Sequence, residues 1–163
     1  MNSPRSAFAR RKSSGQIVIA WAGLACGAMD ITAALVVYGV LYGVRPVRLL
    51  QGIAAGLLGA AAYKQGLPTA VLGLLLHFLI AFMAAAVYFA FSRALPFMVR
   101  HAVPSGVLYG VAVYIFMQAV VLPLSAATRY GFSWKLTSIG VVIHILCVGL
   151  PIALVVRKYS VRS

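Results

Sequence analysis

Four stretches of the chain, residues 17–43, 68–92, 103–123 and 136–156, are nearly continuous in apolar side chains. Each is long enough to cross a hydrocarbon core of about 30 Å at a rise of about 1.5 Å per residue, so each predicts a membrane-spanning helix. A further segment, Arg45 to Tyr63, is also helical in character, with Pro46 placed to start a helix. Positive charge decides whether it crosses. With four spans and an inner N-terminus, the inner side holds Arg5, Arg10, Arg11, Lys12, Arg93, Arg100, Arg157, Lys158 and Arg162, and the outer side holds only Arg45, Arg48, Lys64, Arg129 and Lys135. A fifth crossing would divide the same residues evenly and abolish the bias that orients such proteins. The expectation is therefore an all-α polytopic protein, a four-helix transmembrane bundle with an interfacial or re-entrant helix over residues 46–64 on the outer side.

Composition fits no soluble class: 163 residues, 63% hydrophobic, 9% charged, mean hydropathy +1.01. Four spans use roughly 80 residues, which leaves room for a basic inner tail at 1–16 and short loops but for no extramembrane domain. The net charge of +13 would suggest nucleic acid in a soluble chain, but the basic residues stand in ones and twos at the edges of apolar runs, as orientation signals and contacts to anionic lipid do. Nucleic acid is excluded as a partner. Membrane lipid is expected, together with other membrane subunits or self-association. Gly23-Leu24-Ala25-Cys26 brushes against a lipoprotein cleavage box, yet the apolar run continues past it and Gly23 stands where Leu is usual, so the first helix is expected to be retained. Cys26 and Cys147 lie inside apolar runs without a CxxC pair and point to no disulfide scaffold or thiol oxidoreductase. Trp21, Tyr42, Tyr130 and Trp134 fall near span ends, at headgroup level.

The candidate chemistry is what is polar inside the membrane. Asp30, the sole acidic residue, is at the middle of the first span, where a charge costs at least about 3 kcal/mol unless paired, hydrated or protonated. It shares a helical face with Gly23, Gly27 and Ala34. The second span sets Thr69, Gly73, His77, Ala81 and Ala84 near one face, the third Gly106, Gly110, Tyr114 and Gln118, the fourth Gly140, His144, Cys147 and Pro151. Counting rise from the span centres, His144, His77 and Gln118 lie roughly 3, 4 and 8 Å outward of Asp30. Asp30, His77, Tyr114, Gln118 and His144 thus form an expected polar centre. Leu72-Gly73-Leu74-Leu75-Leu76-His77-Phe78-Leu79 parallels Ile139-Gly140-Val141-Val142-Ile143-His144-Ile145-Leu146, and Tyr38-Gly39-Val40 more weakly parallels Tyr109-Gly110-Val111, as a duplicated hairpin with His77 opposite His144 would.

Several readings of that centre stay open. Buried polar groups can simply hydrogen-bond across helices and fix packing, at under about 1 kcal/mol per pair. Two histidines, each with a glycine one turn away, suit bis-imidazole ligation of a haem b. With Asp30 they suit a Zn, Fe or Mn ion, or a proton relay. No catalytic residue is assigned: Ser105 and Ser125 lie near span ends, away from both histidines, and there is no GxSxG, HExxH, phosphate loop or second carboxylate.

The runs Arg45-Pro46-Val47-Arg48-Leu49-Leu50-Gln51-Gly52 through Gly59, Leu72-Gly73 through His77-Phe78, Ser92-Arg93-Ala94-Leu95-Pro96 and Val121-Leu122-Pro123-Leu124-Ser125 resemble a group of small uncharacterised four-span proteins of the bacterial inner membrane, over most of residues 20–156. The resemblance implies a four-span bacterial membrane protein with both termini cytoplasmic and carries over no catalytic residue. It draws attention to Arg45, Arg48 and Gln51 at the start of the outer helix, as parts of a lid over the bundle. The expected function is a non-enzymatic accessory subunit or small permease-like module, the alternative a haem- or metal-binding redox protein using His77 and His144.

Overall fold

A computed structural model describes residues 4–127 and 133–160, with side chains from Gly15 onward. The described residues build helices and no strand, and four helices are long and apolar enough to cross a membrane: Gly15–Tyr42, Leu67–Ala94, Ala102–Leu124 and Trp134–Ser160. These are the four spans expected from the pattern. They run slightly past most of the expected limits because helical bonding continues through rim residues such as Arg93, Lys135 and Arg157. The basic segment before the first span is helical from Pro4, continuous with that span. Arg129, Tyr130 and Arg162 lie outside the described residues. Large apolar side chains such as Val40, Leu75, Met83 and Leu108 are more than half exposed, as helices facing hydrocarbon require.

The first span runs between the second and the fourth, and the third leans on the fourth. Small residues govern these crossings. At Gly27 a Cβ would stand 2.7 Å from the Phe78 ring, and Gly23 is filled in the same way by Phe82. Where the third and fourth spans cross, Gly149 faces the Gly106 carbonyl oxygen and the Gly110 backbone, and a Cβ on Gly110 would lie 2.6 Å from the His144 carbonyl oxygen. Backbone meets backbone there, the use of glycine that lets membrane helices associate without a hydrophobic driving force. The second and third spans meet through side chains: Tyr109 donates its hydroxyl to the Ala84 carbonyl at 2.7 Å, and its ring packs edge-on against fully buried Tyr88 at 5.0 Å.

Two of the spans are not uniformly α-helical. Met117–Val121 in the third and His144–Gly149 in the fourth are π-wound. Each widened turn ends just before a proline that stands within its span, Pro123 and Pro151. Proline has no N–H to donate and its ring crowds the carbonyl four residues back, and a wider turn gives that carbonyl room.

The segment between the first two spans folds back on the bundle. Gly43, at φ +64°, turns the chain after Tyr42, Pro46 opens a helix over Pro46–Leu58, and a 3-10 turn over Gly59–Lys64 leads to Gly66, at φ +68°, and the second span. Both glycines hold left-handed backbone that other residues rarely adopt. The helix lies across the second span, where Gly73 leaves room for the Leu50 carbonyl, and reaches the end of the third, where the Ala126 amide donates to the Gly56 carbonyl at 2.9 Å. It therefore covers the end of the bundle opposite the two chain termini. The two matching segments of the second and fourth spans are not equivalent: Gly73 packs on this covering helix and Gly140 on the Tyr114 ring, and only the fourth is π-wound at its histidine. The expected two-fold relation between His77 and His144 does not describe their surroundings.

Candidate functional site

Asp30 and His77 meet between the first and second spans. His77 Nδ1 lies 4.0 Å from Asp30 Oδ2, with side chains 13% and 19% exposed respectively. The other ring nitrogen, Nε2, is 2.9 Å from the Gly27 carbonyl oxygen. A carbonyl can only accept, so Nε2 carries the hydrogen, and the nitrogen that faces the carboxyl is the one whose proton is exchangeable. Gly27 serves twice: its bare Cα admits the second span, and its carbonyl fixes the imidazole.

His144 belongs to the same cavity from the fourth span. Its Nδ1 lies 2.8 Å from the Gly140 carbonyl oxygen one turn back, so that nitrogen is the donor and Nε2 holds the free lone pair. Tyr114, buried on the third span, meets the ring edge-on at 5.4 Å. The cavity, about 130 Å³, is lined by Asp30 and Cys26 of the first span, His77, Ile80 and Ala84 of the second, Val113 and Met117 of the third, His144 and Val148 of the fourth, and Ile53 of the covering helix. Two or more residues from every span and one from the cover thus reach a common space.

Of the expected centre, Asp30, His77 and His144 line this space and Tyr114 supports it from behind. Gln118 does not join them: its side chain is exposed. It sits in the π-wound turn after Met117, where the register that carries Gly106, Gly110 and Tyr114 is broken, and Met117 lines the cavity instead. Pro123 was the signal of that break in the sequence.

Arg45 and Arg48 are exposed on the cover, Arg48 stacking its guanidinium 3.8 Å above the Tyr63 ring. Gln51 is 5% exposed and donates to the Gly66 carbonyl at 2.8 Å, while Thr69 donates to the Ala62 carbonyl at 2.7 Å. These bonds tie the covering helix and its 3-10 turn to the start of the second span and the turn that leads into it. Thr69 was read only as part of a helical face; its role appears once the 3-10 turn brings Ala62 above it.

The two histidines do not present a bis-imidazole haem site. His77 Nε2 is committed to Gly27, and about 130 Å³ is well under the roughly 300–1,000 Å³ of pockets for small organic ligands. Among the described residues no three His, Cys, Asp or Glu side chains are gathered closely enough to hold a metal ion. What the arrangement can do is hold a proton between a carboxyl and an imidazole, with a second imidazole on the same small cavity. In comparisons with known proteins, no family model, curated protein or solved structure matches the chain.

Proposed function

We propose that the chain is a non-enzymatic, permease-like module of a bacterial inner membrane, with both termini cytoplasmic, whose working centre is the proton-holding pair Asp30 and His77. The covering helix 46–64 lies on the outer side in this reading, as the excess of basic residues at the opposite end favours. The observation that carries the proposal is the fixed tautomer of His77: with Nε2–H given to Gly27 and Nδ1 turned to Asp30, a proton taken up by the pair is held either as imidazolium and carboxylate or as imidazole and carboxylic acid, the two differing by one proton transfer, and without it the pair presents two acceptors. At 4.0 Å the transfer needs a slight approach or a single bridging water. Packing alone does not call for this arrangement, because small residues close the interface between the first two spans without it. The ionisable groups around the pair are Cys26 and Tyr38 on the first span, Cys147 and His144 on the fourth, and Tyr114 on the third.

Selective nitrogen-15 labelling of histidine in the purified chain tests the pair directly. The expected spectrum gives His77 hydrogen on Nε2, with an Nδ1 resonance that changes in Asp30→Asn. In vesicles, pH-driven uptake into the interior is expected to fall at least roughly tenfold in Asp30→Asn and in His77→Gln. A His77 spectrum indifferent to Asp30→Asn overturns the proposal.

A further inference from the structure

The cavity is unusual in what it offers a ligand. His77 and His144 each spend their hydrogen on a helix carbonyl, Gly27 and Gly140, so the nitrogen each ring has left is an acceptor. The third polar group in the lining is the carboxyl of Asp30. Three acceptors and no side-chain N–H donor therefore surround a space of about 130 Å³, the share of about four water molecules. Asp30 is the one acidic side chain in the sequence. The Cys26 thiol and apolar side chains, Ile53, Ile80, Val113 and Met117 among them, supply the rest of the wall.

From this we infer that the cavity binds a small primary ammonium ion, ammonium itself or a short alkylammonium, with its N–H groups divided among Asp30, His77 and His144 and its alkyl part against the isoleucines and Met117. The inference rests on the reading of Asp30 and His77 as the working centre and names the substrate class of that centre. A metal ion fits less well, because its ligands must converge to about 2 Å of one point and these residues are not so gathered. N–H donors reach acceptors at about 2.7–3.2 Å, from a nitrogen set among them. A quaternary ammonium has the charge but no N–H, and leaves all three acceptors unsatisfied.

The experiment is equilibrium binding of radiolabelled methylammonium to the full chain in lipid nanodiscs, with ammonium and tetramethylammonium as competitors. Expected are saturable binding displaced by ammonium and not by tetramethylammonium, and a loss of affinity of roughly tenfold to a hundredfold in Asp30→Asn, the value of one charge-assisted hydrogen bond. Should Asp30→Asn not fold, Ile53→Trp is the second variant: an indole filling the cavity from the cover is expected to abolish binding while the nitrogen-15 signature of His77 persists. Binding retained in folded Ile53→Trp overturns the inference, as does equal competition by tetramethylammonium. If methylammonium does not bind while His77 still responds to Asp30→Asn, the ammonium class is wrong and the proton-holding pair stands. If both fail, the reading of the centre falls with it.

Discussion

Replacing Gly110 with alanine tests whether the crossing of the third and fourth spans positions His144. A Cβ on Gly110 would stand 2.6 Å from the His144 carbonyl oxygen, 2.7 Å from Ile145 Cα and 2.9 Å from the His144 carbonyl carbon. Ordinary contact begins near 3.4 Å, so the fourth span must retreat by about 0.8 Å at this point. The obstructing atoms are all backbone and have no rotamer to change. Overpacking of this kind costs about 1–3 kcal/mol, and the retreat acts on the residue whose imidazole lines the cavity. Unfolding in mixed micelles of increasing denaturing detergent measures the cost, and the nitrogen-15 spectrum of His144 reports the displacement. Gly39→Ala is the control, since its Cβ would find only the Val44 carbonyl oxygen at 3.8 Å; it is expected to be neutral or stabilising by up to about 1 kcal/mol. A Gly110→Ala protein within about 0.5 kcal/mol of wild type, with His144 unshifted, refutes the argument.

Other substitutions separate strong bonds from weak ones. Gln51→Leu removes the buried donor to Gly66 and is expected to cost about 1–3 kcal/mol, with faster amide exchange over residues 59–66 in mass-spectrometric hydrogen exchange. Tyr109→Phe loses a 2.7 Å bond to Ala84 and is expected to cost about 0.5–1.5 kcal/mol in the same detergent titration. Tyr88→Phe leaves the ring in place and loses a long 3.4 Å contact with the Met98 carbonyl and an interaction with the Ser105 side chain; it is expected to cost no more than Tyr109→Phe, and a larger cost counts against the assignment.

The spans, their number and the common depth zone of Asp30, His77 and His144 were legible from apolar run length and from depth counted along each helix, because both follow from a fixed rise per residue; which pair would meet was not. Facing was legible wherever the helix stayed α-helical, as at Gly27, Gly110 and Tyr114. It failed at Gln118, since a π-wound turn changes the register and nothing in hydropathy marks it. The prolines did mark it: Pro123 and Pro151 each follow such a turn, and a proline inside a span should be read as a change of facing for the residues before it. The bonds of Gln51 and Thr69 were beyond reach for a different reason. They join residues to backbone carbonyls whose position depends on how the chain returns through Gly59 and Gly66, and side-chain chemistry carries no signal of that return.

The route by which the centre communicates with water follows from what packs on either side of it. Toward the chain termini the space between the spans is closed by Ala85, Tyr88, Ala102, Ile152 and Val156, all essentially inaccessible, a largely apolar tier in which the Tyr88 hydroxyl is engaged by the Met98 carbonyl and the Ser105 side chain. On the other side the cavity wall includes Ile53 of the covering helix, whose segment is held by a small number of hydrogen bonds and turns at Gly43 and Gly66. In this conformation the centre is bounded on one side by Ile53 of the cover and on the other by the tier, so exchange with the terminal side requires the tier to part. A cysteine placed at Ile53, with Cys26→Ala and Cys147→Ala, is expected to react with a membrane-impermeant thiol reagent from the cover side of oriented vesicles and to be protected by methylammonium. A cysteine at Ala85, one tier deeper, is expected to react at least roughly tenfold more slowly from either side, because only transient opening exposes it. Equal labelling of the two positions from the terminal side would mean that the tier is not a seal, and the centre would have to be read as lying in a simple pore.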